Sequence, residues 1–95
     1  MLGVGDKPVR SVRTAEYDAF LQLLKQLRQE AHLTQKELCE RLDQEVTYIS
    51  KVERGTRRLD VIEFLELAKA LGQDPAEILA RFRVTQTNRK PNKGQ

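Results

Sequence analysis

The sequence predicts an all-α fold of five short helices around one aliphatic core, in a single small domain with polar ends. Three observations carry this prediction. Apolar residues recur at three- and four-residue spacing from residue 17 to residue 82, with no paired alternating stretches that would mark strands. That spacing is broken repeatedly at His32, Asp43, Gly55 and Gly72, residue types that tolerate the left-handed backbone a helix end requires. With two tyrosines, three phenylalanines and no tryptophan in 95 residues, the core has to be aliphatic, built from Leu21, Leu24, Leu27, Leu38, Leu42, Leu65, Leu67 and Leu71. A chain of this length buries too little surface to support two cores.

Residues 1–13 hold two glycines and a proline without any period and are read as a flexible arm. Thr14 is placed to cap the first helix, expected over 15–31, whose apolar positions 17, 20, 21, 24, 27 and 31 form a core-facing stripe. His32 then serves as a turn residue rather than a catalytic or metal ligand. Thr34 opens the second helix, with Glu37 three positions on completing a capping box, and Leu38, Cys39 and Leu42 face inward. Asp43 and Gln44 make a tight turn. The third helix is expected over 45–53, with Val46, Ile49 and Val52 facing inward wholly or in part, and Gly55 closes it.

Asp60, again followed by a glutamate at the third position, opens the fourth helix. Its expected stripe is Val61, Phe64, Leu65, Ala68 and Leu71, and Gly72 ends it. Asp74, Pro75 and Glu77 open the fifth helix in the favoured order of cap, first-turn proline and first-turn acid, with Ile78, Leu79 and Phe82 on its apolar side. Residues 83–95 are polar, basic and uncapped, and are read as largely disordered. The expected organisation is an arm over 1–13, a domain over 14–82 and a basic tail over 83–95.

The net charge of +3 says less than its distribution. Both ends are basic: Lys7, Arg10 and Arg13 stand against Asp6, and Arg83, Arg89, Lys90 and Lys93 stand against no acid, which leaves the middle slightly acidic. Within that middle, Lys51, Arg54, Arg57 and Arg58 gather around a lone Glu53 and make a local basic ledge of the kind that binds phosphate. The single cysteine, Cys39, excludes an internal disulfide and a multi-cysteine zinc site, and reads as a small buried thiol in a reducing compartment. No apolar stretch of signal-peptide length and no run of about eighteen apolar residues occurs, so a soluble cytoplasmic protein without membrane contact is expected. Enzyme chemistry is not expected. Asp18, Glu30 and Glu40 fall on solvated helix faces, Ser50 has no histidine near it in sequence, and neither a phosphate-cradling glycine loop nor a cluster of metal ligands is present. No cofactor is expected either.

Two short helices around a tight turn, the second with a polar outer face, is how a helix-turn-helix presents one helix to the DNA major groove. Residues 23–79 resemble the Xre family of bacterial and phage regulators, the group containing lambda-type repressors and Cro. The resemblance rests on Leu33-Thr34-Gln35, Glu37-Leu38, Ile49-Ser50-Lys51-Val52-Glu53-Arg54-Gly55 and Leu65-Glu66-Leu67-Ala68-Lys69-Ala70-Leu71-Gly72. It implies a compact five-helix bundle of lambda-repressor type that binds operator DNA, usually as a dimer.

Carried over by position, Gln35 resembles the family's phosphate-clamping glutamine, with Thr34 beside it, and Arg54, Arg57 and Arg58 follow the recognition helix where the family loop runs along the phosphates. Gln44, Glu45, Val46, Thr47 and Tyr48, with Ser50 and Lys51 one turn on, match the base-contacting positions. Lys51 can donate to guanine, and Val46 or the Thr47 methyl can pack on a thymine methyl. Arg28 and Glu53 match an ion pair that ties helix one to the end of the recognition helix, while Ile78, Leu79 and Phe82 offer a dimer interface.

Two positions depart from the family pattern. Asp43 stands where most members have glycine, and Glu45 stands where serine, threonine or proline is usual. An acid at 45 opposes nearby phosphates, yet it can accept from a cytosine amino group. The implied function is a transcriptional regulator, most simply a repressor, acting as a homodimer on a roughly palindromic operator. Variants of that reading are a restriction-modification controller protein or an antitoxin with autoregulatory DNA binding, for which a polymerase or a toxin would be the protein partner. A protein-interaction adaptor that has lost DNA binding is the alternative of another class.

Overall fold

The computed structural model describes residues 14–89. The expected arm over 1–13 and the end of the tail, 90–95, lie outside the described residues. Five helices follow one another, α1 (Ala15–Glu30), α2 (Gln35–Arg41), α3 (Tyr48–Arg54), α4 (Val61–Leu71) and α5 (Pro75–Arg89), and no strand occurs among the described residues. The fold is an all-α helix-turn-helix bundle. α1 packs on α3 and α5, α2 packs on α3 and α4, and α4 packs on α5.

Side-chain caps set the starts of α1, α2 and α4. The Thr14 hydroxyl accepts from the Tyr17 amide at 3.0 Å, and Thr34 with Glu37 and Asp60 with Glu63 form complete capping boxes. The helix ends share one solution. After α1, α2, α3 and α4 a left-handed residue follows, His32 (φ 60°), Asp43 (φ 56°), Gly55 (φ 82°) and Gly72 (φ 74°) respectively. Around each, a Schellman motif satisfies two orphan carbonyls. At Asp43 the bonds run from the Asp43 amide to Glu40 O (3.1 Å) and from the Gln44 amide to Cys39 O (2.9 Å). Two of the four positions therefore hold a side chain in a conformation that costs most L-residues about 1–2 kcal/mol.

The core is one cluster running through all five helices, with Leu38, Cys39, Ile49, Val52, Ala68 and Ile78 nearly or wholly inaccessible. Cys39 does more than fill space. Its sulfur accepts from the Ile49 amide (3.4 Å) and donates to Val46 O (3.5 Å), which joins α2 to the start of α3.

Four details differ from the sequence expectation. α3 begins at Tyr48 and not at 45, because the Schellman bonds finish α2 at Gln44 and a single turn from Glu45 O to the Tyr48 amide (3.0 Å) precedes the helix. Val46 therefore points outward, 61% exposed. Leu65 and Val61 lie outside the core, which takes Phe64, Leu67, Ala68 and Leu71 instead, since five apolar positions span more of the helix circumference than the core covers. Conversely, Leu23 lies off the expected stripe but is buried, α1 being covered by both α3 and α5. Finally, α5 continues past residue 82 to Arg89. No glycine or proline lies between Pro75 and Pro91, so nothing in residues 83–89 forces the helix to stop.

Leu38 and Leu65 look alike in sequence yet differ in burial, and urea denaturation separates them. Leu38→Ala is expected to cost about 2–5 kcal/mol, whereas Leu65→Ala, at an exposed position, should cost less than about 1 kcal/mol.

Candidate nucleic-acid interface

At the centre of the helix-turn-helix lies a buried ion pair. Arg28 Nε donates to Glu53 Oε2 at 2.7 Å and its Nη2 to Glu53 Oε1 at 3.2 Å, with the two side chains only 10% and 8% exposed. The pairing is bidentate, matching the fork of the guanidinium to the carboxylate. The third guanidinium nitrogen is used as well: Arg28 Nη1 donates to Leu33 O at 2.8 Å, and the Gln35 side-chain Nε2 donates to Glu53 Oε1 at 2.8 Å. The end of α1, the α1–α2 turn, the start of α2 and the end of α3 thus meet in one network. Gln35 and Thr34 sit together at the start of α2. The Thr34 oxygen is taken by the capping box, and one N–H of Gln35 is taken by Glu53.

Gln44, Glu45, Val46 and Thr47 form the exposed turn before α3, and Lys51 is exposed one turn later. These five share one outward ridge over a buried underside of Tyr48, Ile49 and Val52. The Ser50 hydroxyl is half-buried and donates to Thr47 O at 3.0 Å, while Thr47 Oγ1 lies 3.5 Å from Glu45 Oε1. Tyr48 does not belong to the ridge. It is 6% exposed, and burial pushes its phenol up from its ordinary value, so reaching a base would require leaving the core.

The basic ledge is divided by its partners. Arg57 Nη2 and Nη1 donate to the two Glu63 oxygens at 2.7 and 3.0 Å, Nη1 also reaches Arg58 O at 3.0 Å, and the guanidinium lies 4.8 Å from the Tyr48 ring centre. Arg57 is therefore a strut of the α3–α4 loop, with its donors engaged by Glu63 and by Arg58 O. Arg54 and Arg58 are both exposed. The Arg58 guanidinium lies 4.4 Å from the Tyr17 ring centre, and the Tyr17 hydroxyl accepts from the Leu59 amide at 3.1 Å. Glu63 and Tyr17 are the site residues that sequence reasoning missed. Glu63 shows in sequence only as a capping glutamate, and Tyr17 only as one position of a stripe.

Of the three expected interface residues, Ile78 is 2% exposed and belongs to the core, because α5 turns it against the other helices. Phe82 is half-buried, with its ring edge-on to Phe20 at 5.2 Å, and Leu79 remains 46% exposed. Leu79 borders two apolar hollows, one of about 340 Å³ with Tyr17, Phe20 and Phe82, the other of about 480 Å³ with Val61, Phe64 and Leu65. Among the described residues no group of His, Cys, Asp or Glu could hold a metal ion, and no helix is long and apolar enough to cross a membrane.

Removing one side of the buried pair strands a charge. Glu53→Ala is expected to destabilise the fold by about 3–5 kcal/mol in urea titrations, since Arg28 would keep its burial and lose its counter-ion. A second consequence concerns pH. The hydrogen bonds from Arg57, and then that from the Asp60 amide, hold the Glu63 carboxyl below the ordinary glutamate value of 4.5. A depressed value in the folded state adds stability above the ordinary value, and that contribution is lost as pH falls through the folded one. Glu63→Gln should therefore lose less stability than the parent between neutral and acid pH, read as the shift in urea midpoint.

The helix-turn-helix family model matches residues 24–78. Control protein C.BamHI of Bacillus amyloliquefaciens is 36% identical over 61 residues, covering 63% of this chain and 75% of that protein. Among solved structures, an XRE-family like protein from Pseudomonas syringae pv. tomato str. DC3000 is 39% identical with a TM-score of 0.73, covering 81% of this chain and 94% of that one. The clp gene regulator ClgR from C. glutamicum shares the fold, with a TM-score of 0.66 at 23% identity over 77% of this chain and 95% of its own. The matched segment contains the network, the exposed turn and the basic loop, and the chain belongs to the Xre-type helix-turn-helix family of DNA-binding transcriptional regulators.

Proposed function

We propose that the protein is a repressor that binds a roughly palindromic double-stranded operator as a homodimer. The observation that carries the reading is the exposure of Gln44, Glu45, Val46, Thr47 and Lys51 around a helix seated in the core by Tyr48, Ile49 and Val52. Side chains exposed on a seated backbone can reach base edges without unfolding of the core. Lys51 supplies a donor for guanine, Glu45 an acceptor for a cytosine amino group, and Val46 an apolar surface for a thymine methyl. Gln35 donates to phosphate through its second N–H, and Arg54 and Arg58 add charge that carries no sequence information. The exposed Leu79, with Val61 and Leu65 beside it, is the apolar patch on which a second copy would pack.

A second reading, a restriction-modification controller, is favoured by the 36% identity to Control protein C.BamHI. A methyltransferase gene beside this one would select it over a general repressor.

Selection of bound duplexes from a random pool tests the function directly. The expected result is an inverted pair of half-sites about one helical turn apart, with an affinity that falls steeply as salt rises. In the same assay Glu45→Gln should relax the preference at one position of each half-site. Absence of enrichment, with binding indifferent to salt, would leave an adaptor as the reading.

A further inference from the structure

We propose that Tyr17 is a positioning residue for DNA binding, which sets Arg58 against the phosphate chain from outside the helix-turn-helix. The inference rests on the DNA-binding reading above. Tyr17 lies on α1, ahead of residues 24–78 that the family model matches, and reaches forward 42 positions to the α3–α4 loop. It holds that loop at two consecutive residues. Its hydroxyl accepts from the Leu59 amide at 3.1 Å, and the Arg58 guanidinium lies over its ring, 4.4 Å from the ring centre.

The two contacts act together. The hydrogen bond holds the backbone next to Arg58, and the ring holds the position of its guanidinium. A cation–π contact leaves the guanidinium its positive charge, so an arginine held on a ring still brings that charge to a phosphate. On the other flank Arg57, bound to Glu63 and lying over Tyr48, holds the same loop to α4. A loop braced on both sides presents Arg58 in one place. The conformational entropy of a long side chain is then lost on folding, not on meeting DNA.

The test is a double-mutant cycle on duplex affinity with Tyr17→Leu, Tyr17→Phe and Arg58→Gln. Tyr17→Leu should bind specific and random duplexes about two- to tenfold more weakly, equally for both, because a phosphate contact carries no sequence information. Arg58→Gln should weaken binding likewise and lower the salt slope by about one. In the Arg58→Gln background the Tyr17→Leu penalty should vanish. Tyr17→Phe, which keeps the ring, should lie between parent and Tyr17→Leu, and it runs the same cycle if Tyr17→Leu unfolds. A Tyr17 penalty that persists in full without Arg58, or no penalty at all, overturns the proposal while leaving DNA binding intact. A parent protein that binds no duplex overturns both.

Discussion

The bidentate pair between Arg28 and Glu53 is the constraint around which the helix-turn-helix is arranged. Two charges removed from water are costly, and the cost is met only if nearly every donor and acceptor finds a partner. Here Leu33 O and the Gln35 amide complete the set, and those partners come from the end of α1, the following turn and the start of α2. Satisfying the pair therefore fixes three chain segments relative to the end of α3. A neutral, well-packed replacement could match its stability, but an apolar contact would not define one angle between α2 and α3. The same carboxylate that neutralises Arg28 also holds the Gln35 side chain, through one shared oxygen.

Around this network the helices are too short to stand alone. α2 and α3 have seven residues each, well below the length at which an isolated helix persists in water. Caps, left-handed closures and burial supply what propensity does not. The Cys39 thiol adds a direct bond from α2 to the first turn of α3, at a position that is almost wholly buried. The late start of α3 shapes the surface as well. Residues 44–47 stand as a turn ahead of α3, so Val46 and Thr47 project from an irregular ridge and not from a regular helix face.

The loop after α3 shows how a run of like charges is sorted by its neighbours. Arg57 and Arg58 are adjacent, yet one is bound to a carboxylate while the other lies over an aromatic ring. Glu63 serves three donors, Arg57 twice and the Asp60 amide once, so the cap of α4 and the brace of the loop are one carboxylate. Tyr17 belongs to α1, ahead of the segment matched by the family model, and holds the loop from there.

By itself the sequence determined the local features. Thr34 with Glu37, Asp60 with Glu63, and the left-handed stops at His32, Asp43, Gly55 and Gly72 depend on residues within a turn of one another, and each was legible from spacing. The family motif added the Arg28 and Glu53 pairing. Tertiary structure decided which side of each helix is covered. Tyr48 and Ile78 turned inward, Leu65, Val61 and Val46 turned outward, and Arg57 was committed to Glu63. The physical reason is that periodicity locates an apolar stripe to within a residue or so around the helix. The boundary between buried and exposed, and the choice of partner for a long charged side chain, depend on crossing angles set by contacts distant in sequence.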